Sequence, residues 1–462
     1  MDYSYLNAGL WNPIIQICLI ALVILIANII RRRVPFIKNS MIPTAVLAGF
    51  ILLALKLVGI AKVDEDYSSM LTYHCIAIGF IALSLRVPEK TDKESGRLVG
   101  LKSGSIIVGS YMIQAVVGLA ISLGLALTFM PGLFHAAGIL LPMGYGQGPG
   151  QANNVGVTYE ALGFAGGQSF GLSLAAAGYL CACTVGVFYI NYLQRKGKIK
   201  KIDHDELSGS VTVDTFQAEN EIPISESIDR ASIQFALVLI VYGITYLLTF
   251  IITSTLRESA PAIAATINPL LWGFNFMIGS GIAILYRVVL KKLNEAKVVR
   301  HQYQNNYLLS RISGLSFDVM IVSGIATINI AKLKGLWVPF LLMAIAGAIV
   351  TLLHLKLTCK RAYGDYYYEG LVSMYGMMTG TISSGIILLR EVDPEFKTPA
   401  ANNLVIGSSF AIVLGFPLLI LVGFAPTSIM SGLITLGIVA VYYLILVGIV
   451  FIKDKPKKSK AK

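Results

Sequence analysis

The chain has 462 residues, 55% of them hydrophobic and only 13% charged, roughly half the charged share of a soluble domain. Apolar runs of about twenty residues, each long enough to span a bilayer, recur along the whole length, which gives an all-α polytopic membrane protein with no sizeable soluble domain. The net charge of +12 sits in loops and in the Lys-rich tail 453–462, so it reads as a topology signal and not as a nucleic-acid surface.

In chain order, spans are predicted near 11–30, 41–60, 70–85, 103–130 and 168–193, then near 232–254, 268–289, 312–331, 336–356, 402–424 and 428–452. The first run is too long for a cleavable signal, and Arg31-Arg32-Arg33 follows it instead of preceding it. Two glycine-rich segments are left over, 134–163 and 369–389, and each reads as a helix–break–helix re-entrant hairpin. With the N-terminus outside, all Lys and Arg but Lys56, Lys62, Arg257, Lys332 and Lys334 fall on the cytoplasmic side. That bias supports eleven spans, N-out and C-in. The first hairpin then enters from outside and the second from the cytoplasm.

The hairpins are offset by five spans, and an odd offset inverts the second copy. Residues 1–193 form the first repeat and 232–427 the second. Segment 194–231 is a cytoplasmic linker, and 428–462 holds an extra span and the basic tail. Leu71-Thr72-Tyr73-His74 is echoed by Leu315-Ser316-Phe317-Asp318, and Ile81-Ala82 by Ile325-Ala326 at the same distance. Inverted repeats with broken helices at the midplane are the architecture of many secondary transporters.

The hairpins carry the polar chemistry. In the first, Gly146, Gly148 and Gly150 permit tight backbone and close approach to a ligand. Gln147, Gln151, Asn153 and Asn154 add donors and acceptors without charge. That set suits a zwitterionic substrate or a dehydrated Na⁺; the alternative is a packing break between close helices. In the second, Thr379, Gly380, Thr381, Ser383 and Ser384 offer hydroxyls beside unwound carbonyls, suited to a hard cation, unless the hydroxyls bond back to their own helix. Asn402 and Asn403 open span ten and are candidates to complete the site. Asp318 and His74 read as the ionisable residues well inside spans, hence functional candidates. Asp318 is either a cation or proton site or an interfacial partner of Arg311. His74 is either functional or a neutral, hydrogen-bonded histidine. Lys56, near a span end, is expected to snorkel.

The chain lacks a phosphate-binding glycine loop, a zinc-protease pair and a nucleophile elbow. Cys18, Cys75, Cys181, Cys183 and Cys359 lie in or beside apolar segments and imply neither a disulfide nor a metal site. No enzyme is read from the sequence, and no organic cofactor. A channel would need polar linings on several full spans, and a sensor would need a soluble output domain.

Nearly the whole chain resembles the bacterial sodium/glutamate symporter family, as a divergent branch. Asn39-Ser40-Met41-Ile42-Pro43 with Gly49 is similar to the opening of that family's second span. Ala77-Ile78-Gly79 and Ser84-Leu85-Arg86 are similar to its third span, and Gly96-Arg97-Leu98-Val99-Gly100 to the loop beyond. Gly144–Gly150 and Gly376–Gly385 occupy the places of its two glycine-rich hairpins, with Gln147 near the place of a family histidine. The resemblance implies Na⁺ coupling, an acidic amino-acid substrate, the bacterial inner membrane and a homodimer with a moving core.

The expected function is Na⁺-coupled symport of glutamate or a similar small acid by alternating access. The hairpin-bearing core moves against a scaffold of spans one, two, six and seven, in the manner of an elevator. Substrate lies against the first hairpin and Na⁺ at the second. Arg390 is the candidate for the side-chain carboxylate, unless it simply pairs with Glu391 in solvent. The alternative is an H⁺- or Na⁺-coupled transporter or exchanger of another carboxylate.

Overall fold

Inside a bilayer a chain has no water to satisfy its backbone, so the apolar runs must close their hydrogen bonds internally as helices. A computed structural model describes residues 2–35, 37, 42–87, 95–199, 230–296, 303–393 and 397–452. Most of the linker 194–231, the tail 453–462 and Asn39, Ser40 and Met41 of the motif that ends at Pro43 lie outside these residues. Every described element is helical: α1 (Ala8–Arg33), α2 (Thr44–Leu57), α3 (Glu65–Leu85), α4 (Ser95–Leu127), α5 (Leu140–Tyr145), α6 (Pro149–Ala161), α7 (Gly167–Cys181), α8 (Val187–Arg195), α9 (Arg230–Ser259), α10 (Pro261–Gly273), α11 (Asn275–Glu295), α12 (Asn306–Thr327), α13 (Trp337–Tyr363), α14 (Tyr367–Thr379), α15 (Ile382–Arg390), α16 (Ala400–Leu414), α17 (Phe416–Phe424) and α18 (Ile429–Phe451). Among the described residues, eight helices are long and apolar enough to cross a membrane, or nine if α16 and its continuation, bent by 50°, count as one span. The predicted second span, α2, is apolar but short.

Two predicted spans differ locally. The third begins at Glu65 rather than near 70, because Asp64 caps it: its carboxylate accepts from the Tyr67 amide at 3.0 Å. The seventh is two helices, α10 and α11, broken at Phe274. The break's carbonyls are taken up by side chains: Tyr73 donates to the Trp272 carbonyl at 2.8 Å and Asn154 Nδ2 to the Gly273 carbonyl at 2.7 Å.

The chain packs as two units. One takes Met1–Glu89, Gln147–Ala176 and Ile202–Trp337; the other takes Lys90–Gly146, Ala177–Lys201 and Val338–Lys462. Each predicted repeat therefore sends its first three spans to the first unit and its fourth to the second.

At the centre of the first unit α3 lies along α12. Lipid offers little drive for helices to associate, so close contact depends on small residues. Here the contacts come in matched pairs. Gly49 of α2 faces Ile325 of α12, and Gly279 of α11 faces Ile81 of α3; a Cβ added at either glycine would sit 2.9 Å and 2.7 Å from the respective isoleucine. Gly150 of α6 packs against both Ile76 and Met320, five residues before those isoleucines.

The helix ends are matched as well. Lys56 Nζ donates to the carbonyls of Ala326 and Ile328 at 3.0 and 3.2 Å, at the C-terminal end of α12. Arg287 Nη1 donates to those of Ser84 and Arg86 at 3.2 and 2.7 Å, at the end of α3. Each cation sits where the helix dipole is negative.

Lys56 therefore does not snorkel. Its ammonium is ion-paired with Glu65 at 2.9 Å, and Glu65 also accepts from Asn329 Nδ2 at 3.2 Å. Lys56→Met keeps the stem and removes three charge-assisted contacts, so a loss of roughly 2 kcal/mol is expected. Thermal unfolding in detergent measures it, with Lys56→Arg retaining most of the stability. An unchanged midpoint in Lys56→Met would show that the ammonium contributes nothing.

In the second unit α4 carries the packing, against α16 and α18 and the 3₁₀ segment at His135–Ile139. Two ionisable groups are buried here that the sequence reading passed over. Lys102 is 1% exposed. His354 Nε2 donates to the Ile106 carbonyl at 3.2 Å, while its Nδ1 lies 3.2 Å from the Tyr443 hydroxyl. His74 and Asp318 are thus not the only ionisable residues within spans.

Candidate functional site

The two glycine-rich segments both fold as helix–break–helix, but they are held differently. In the second, α14 and α15 double back on each other: a Cβ at Gly376 would lie 2.8 Å from the Ser384 carbonyl oxygen and 2.9 Å from Gly385 Cα. That backbone contact makes a tight helical hairpin with Gly380-Thr381 at its tip. In the first segment the limbs belong to different units. Residues up to Gly146 pack with α4 in the second unit, and α6 packs with α3, α10 and α12 in the first.

In the first unit, α6 starts abruptly. Gly148 has φ +85° and ψ −174°, a region open essentially to glycine alone. Pro149 follows at the first helical position, where a missing N–H costs nothing. The amides of Gly150 and Gln151 then open the helix without intrahelical acceptors, and the partial positive charge there favours an anion.

The four amide side chains separate by role. Asn153 Oδ1 accepts from Gln168 Nε2 at 2.9 Å and from Ser69 Oγ at 3.2 Å. Gln168 Nε2 also donates to Ser69 Oγ at 2.9 Å. Asn154 holds the α10 end. These two pin α6 to its neighbours. Gln147 is half-buried. Gln151 is 1% exposed, and neither its Nε2 nor its Oε1 has a hydrogen-bond partner. Ser323 Oγ on α12 is likewise buried without a partner, one residue before Gly324, whose position packs on Pro149. A buried polar group left unsatisfied costs about 1–3 kcal/mol, so these are groups that a ligand would satisfy.

In the second unit the hairpin tip shows the same pattern. Thr379 Oγ1 donates to the Tyr375 carbonyl of its own helix at 2.8 Å and is spent there. Thr381 Oγ1, Ser384 Oγ and the Tyr375 hydroxyl are buried without partners. Gly380 leaves room for Ser384: an added Cβ would lie 2.8 Å from its Oγ. Neutral hydroxyl oxygens left without partners suit a hard cation.

The remaining candidates lie elsewhere. Ser383 and Asn402 are exposed. Asn403 Nδ2 donates to the Tyr366 hydroxyl at 2.9 Å. Arg390 is exposed at the last residue of α15. Asp318 is on the outward face of α12, and Arg311 stacks over the Tyr307 ring at 4.9 Å. His74 Nδ1 is 2.7 Å from the Tyr242 hydroxyl, which also receives Asn275 Nδ2 at 3.4 Å. That is the hydrogen-bonded histidine of the alternative reading. Ser69, Gln168 and Ser323 were missed because single polar residues in apolar runs carry no spacing signal. Their presence at membrane depth was the only cue.

Membrane-length helices interrupted by two buried polar breaks define a polytopic membrane transporter. The comparison with known families is more specific. Residues 11–384 match the family described as sodium/glutamate symporter, and the chain belongs to that family. Membership makes it a transporter rather than an enzyme, with Na⁺ as coupling ion and glutamate as the substrate in the family's name. No curated protein matches the chain.

Proposed function

We propose that the protein takes up glutamate, or a similar small acidic substrate, by Na⁺-coupled symport across the bacterial inner membrane. The observation that carries this is Gln151: a buried amide with both polar atoms unpartnered, in the first turn of a helix whose free amides and dipole favour a carboxylate. Gly150 and Gln151 amides take the carboxylate, and the Gln151 side chain and Ser323 hydroxyl complete its hydrogen bonds. Na⁺ binds at the second hairpin through Thr381 and Ser384.

The paired contacts Gly49–Ile325 and Gly279–Ile81, and the paired helix-end cations Lys56 and Arg287, support the inverted repeat. In such a repeat the two copies exchange roles as access alternates. The polypeptide passes from one unit to the other at Gly146–Gln147, within the first break. We further propose eleven spans, N-out and C-in, and a homodimer.

The test is uptake of radiolabelled glutamate into proteoliposomes under an inward Na⁺ gradient, against K⁺ alone. Accumulation that requires Na⁺ is expected. Folded protein that accumulates glutamate only with a proton gradient, or accumulates another carboxylate instead, would replace the Na⁺ or glutamate assignment.

A further inference from the structure

The second unit holds a polar group that the two hairpins alone do not account for. Gln114, midway along α4, is 0% exposed. Its Nε2 donates to Thr351 Oγ1 at 2.8 Å and to the Met378 carbonyl at 3.0 Å. Thr351 in turn donates its own proton to the Gly347 carbonyl at 2.7 Å, so toward Gln114 it can only accept. A carbonyl can only accept as well. Both neighbours therefore demand N–H, and the amide cannot be flipped.

That orientation aims Oε1 away from both ties. The oxygen is buried and has no hydrogen-bond partner. It faces the first glycine break: a Cβ added at Gly146 would sit 3.0 Å from it. The Gly146 amide is already given to the Pro142 carbonyl at 3.0 Å. The carbonyls of the turn that ends at Gly146 have no further helical amide to accept from.

We propose that Gln114 Oε1 is a ligand for a small cation held beside the Gly146 break. A buried amide oxygen without a partner, beside helix-end carbonyls, fits a dehydrated Na⁺, and the same chemistry fits the ammonium of an amino-acid substrate. The same amide holds the Met378 carbonyl near the tip of the second hairpin. Cation binding at Oε1 is therefore felt by that hairpin through one rigid group. This inference rests on the symport reading above and adds a ligand from α4 to it.

The test compares wild type with Gln114→Met, of similar length and without an oxygen, and with Thr351→Val, which loses one tie but keeps Oε1. Purified proteins are titrated with NaCl against KCl at constant ionic strength, and the thermal midpoint is followed. Reconstituted proteins are assayed for the Na⁺ dependence of glutamate uptake. If the ligand is Na⁺, Gln114→Met raises the half-saturating Na⁺ by about tenfold or more, and the glutamate KM at saturating Na⁺ moves less than about twofold. If it is the ammonium, the Na⁺ dependence stays, and competition by amino acids weakens by about tenfold while that of dicarboxylates lacking the amine does not. Thr351→Val lowers the midpoint but keeps both affinities within about threefold of wild type.

Wild-type affinities in Gln114→Met would overturn the cation site, as would equal losses in both variants, which would mark Gln114 as a tie between helices only. If Gln114→Met does not purify folded, Na⁺ protection of the Thr351→Val protein decides, and its loss counts against the proposal. A wild-type protein with neither Na⁺ dependence nor preference for amines would overturn this inference together with the symport reading, whereas a Na⁺-dependent wild type with an unaffected Gln114→Met sinks this inference alone.

Discussion

Gly148→Ala is expected to lower transport by about 100-fold or more in a protein that still inserts and purifies intact. The reason is local. At φ +85° and ψ −174° any Cβ is strained, by about 1–3 kcal/mol for a residue forced to stay there. The strain is relieved only if the break unwinds, which moves the first amides of α6. A displacement of about 1 Å at a site built on preorganised donors can cost about 100-fold. The rest of α6 is tied down by Asn153 and Asn154, so the fold survives. Gly380→Val acts at the other hairpin by overlap with Ser384 and Tyr179 rather than by strain, since Gly380 has a negative φ. Uptake normalised to reconstituted protein, with size-exclusion profiles, is the measurement. Wild-type transport by Gly148→Ala would remove the first break from the site.

Much of this architecture is legible in the sequence, because a bilayer leaves an apolar run few options other than a helix. Every predicted span falls on helix in the described residues, of which eight, or nine with the bent pair, are long and apolar enough to cross a membrane. The errors fall where polar and apolar cues conflict. Asp64, Glu65 and Asp66 read as loop, yet they are the cap and first turn of α3, where acidic groups favour a helix. Trp272-Gly273-Phe274 reads as continuous span, yet the helix breaks there because Tyr73 and Asn154 supply the missing hydrogen bonds. Those partners lie far away in sequence. The same is true of Lys56: near a span end it reads as a snorkelling lysine, and only tertiary structure brings Glu65 and the α12 carbonyls to it.

Within the echo between Leu71–His74 and Leu315–Asp318, Thr72 and Ser316 both bond back four residues, to the carbonyls of Ser68 and Ile312. Ile81 and Ile325 are each the partner of a glycine on another helix, Gly279 and Gly49. What the sequence did not yield is the division of labour among like residues. Gln151, Asn153 and Asn154 are chemically similar and close in the chain. Which of them is spent on packing depends on Ser69, Gln168 and Gly273, none of them predictable from spacing. Thr379 and Thr381 divide in the same way, one bonded to its own helix and the other left open.

The same logic makes Gln151→Leu the most discriminating substitution, because it predicts opposite signs for stability and function. In wild type an amide is buried with both polar atoms unsatisfied, which costs the ligand-free protein about 1–3 kcal/mol. Leucine removes those atoms and leaves an apolar side chain of similar size in the same buried position. The ligand-free thermal midpoint should therefore rise, by several degrees if about 1–2 kcal/mol is recovered. Transport should fall by about 100-fold or more, since the substrate's polar group would meet a surface without its partner and a buried hydrogen-bonding site discriminates at that level or beyond. Substrate should also lose its ability to raise the midpoint, because ligand stabilisation follows the affinity for the folded state. A residue kept for packing alone gives another pattern: leucine would leave transport near wild type whatever it did to stability. A fall in both stability and transport would place unseen partners on the amide and move the carboxylate site away from α6. A rise in the midpoint with loss of transport is the pattern of a polar group retained against the stability of the empty protein for the sake of what it binds.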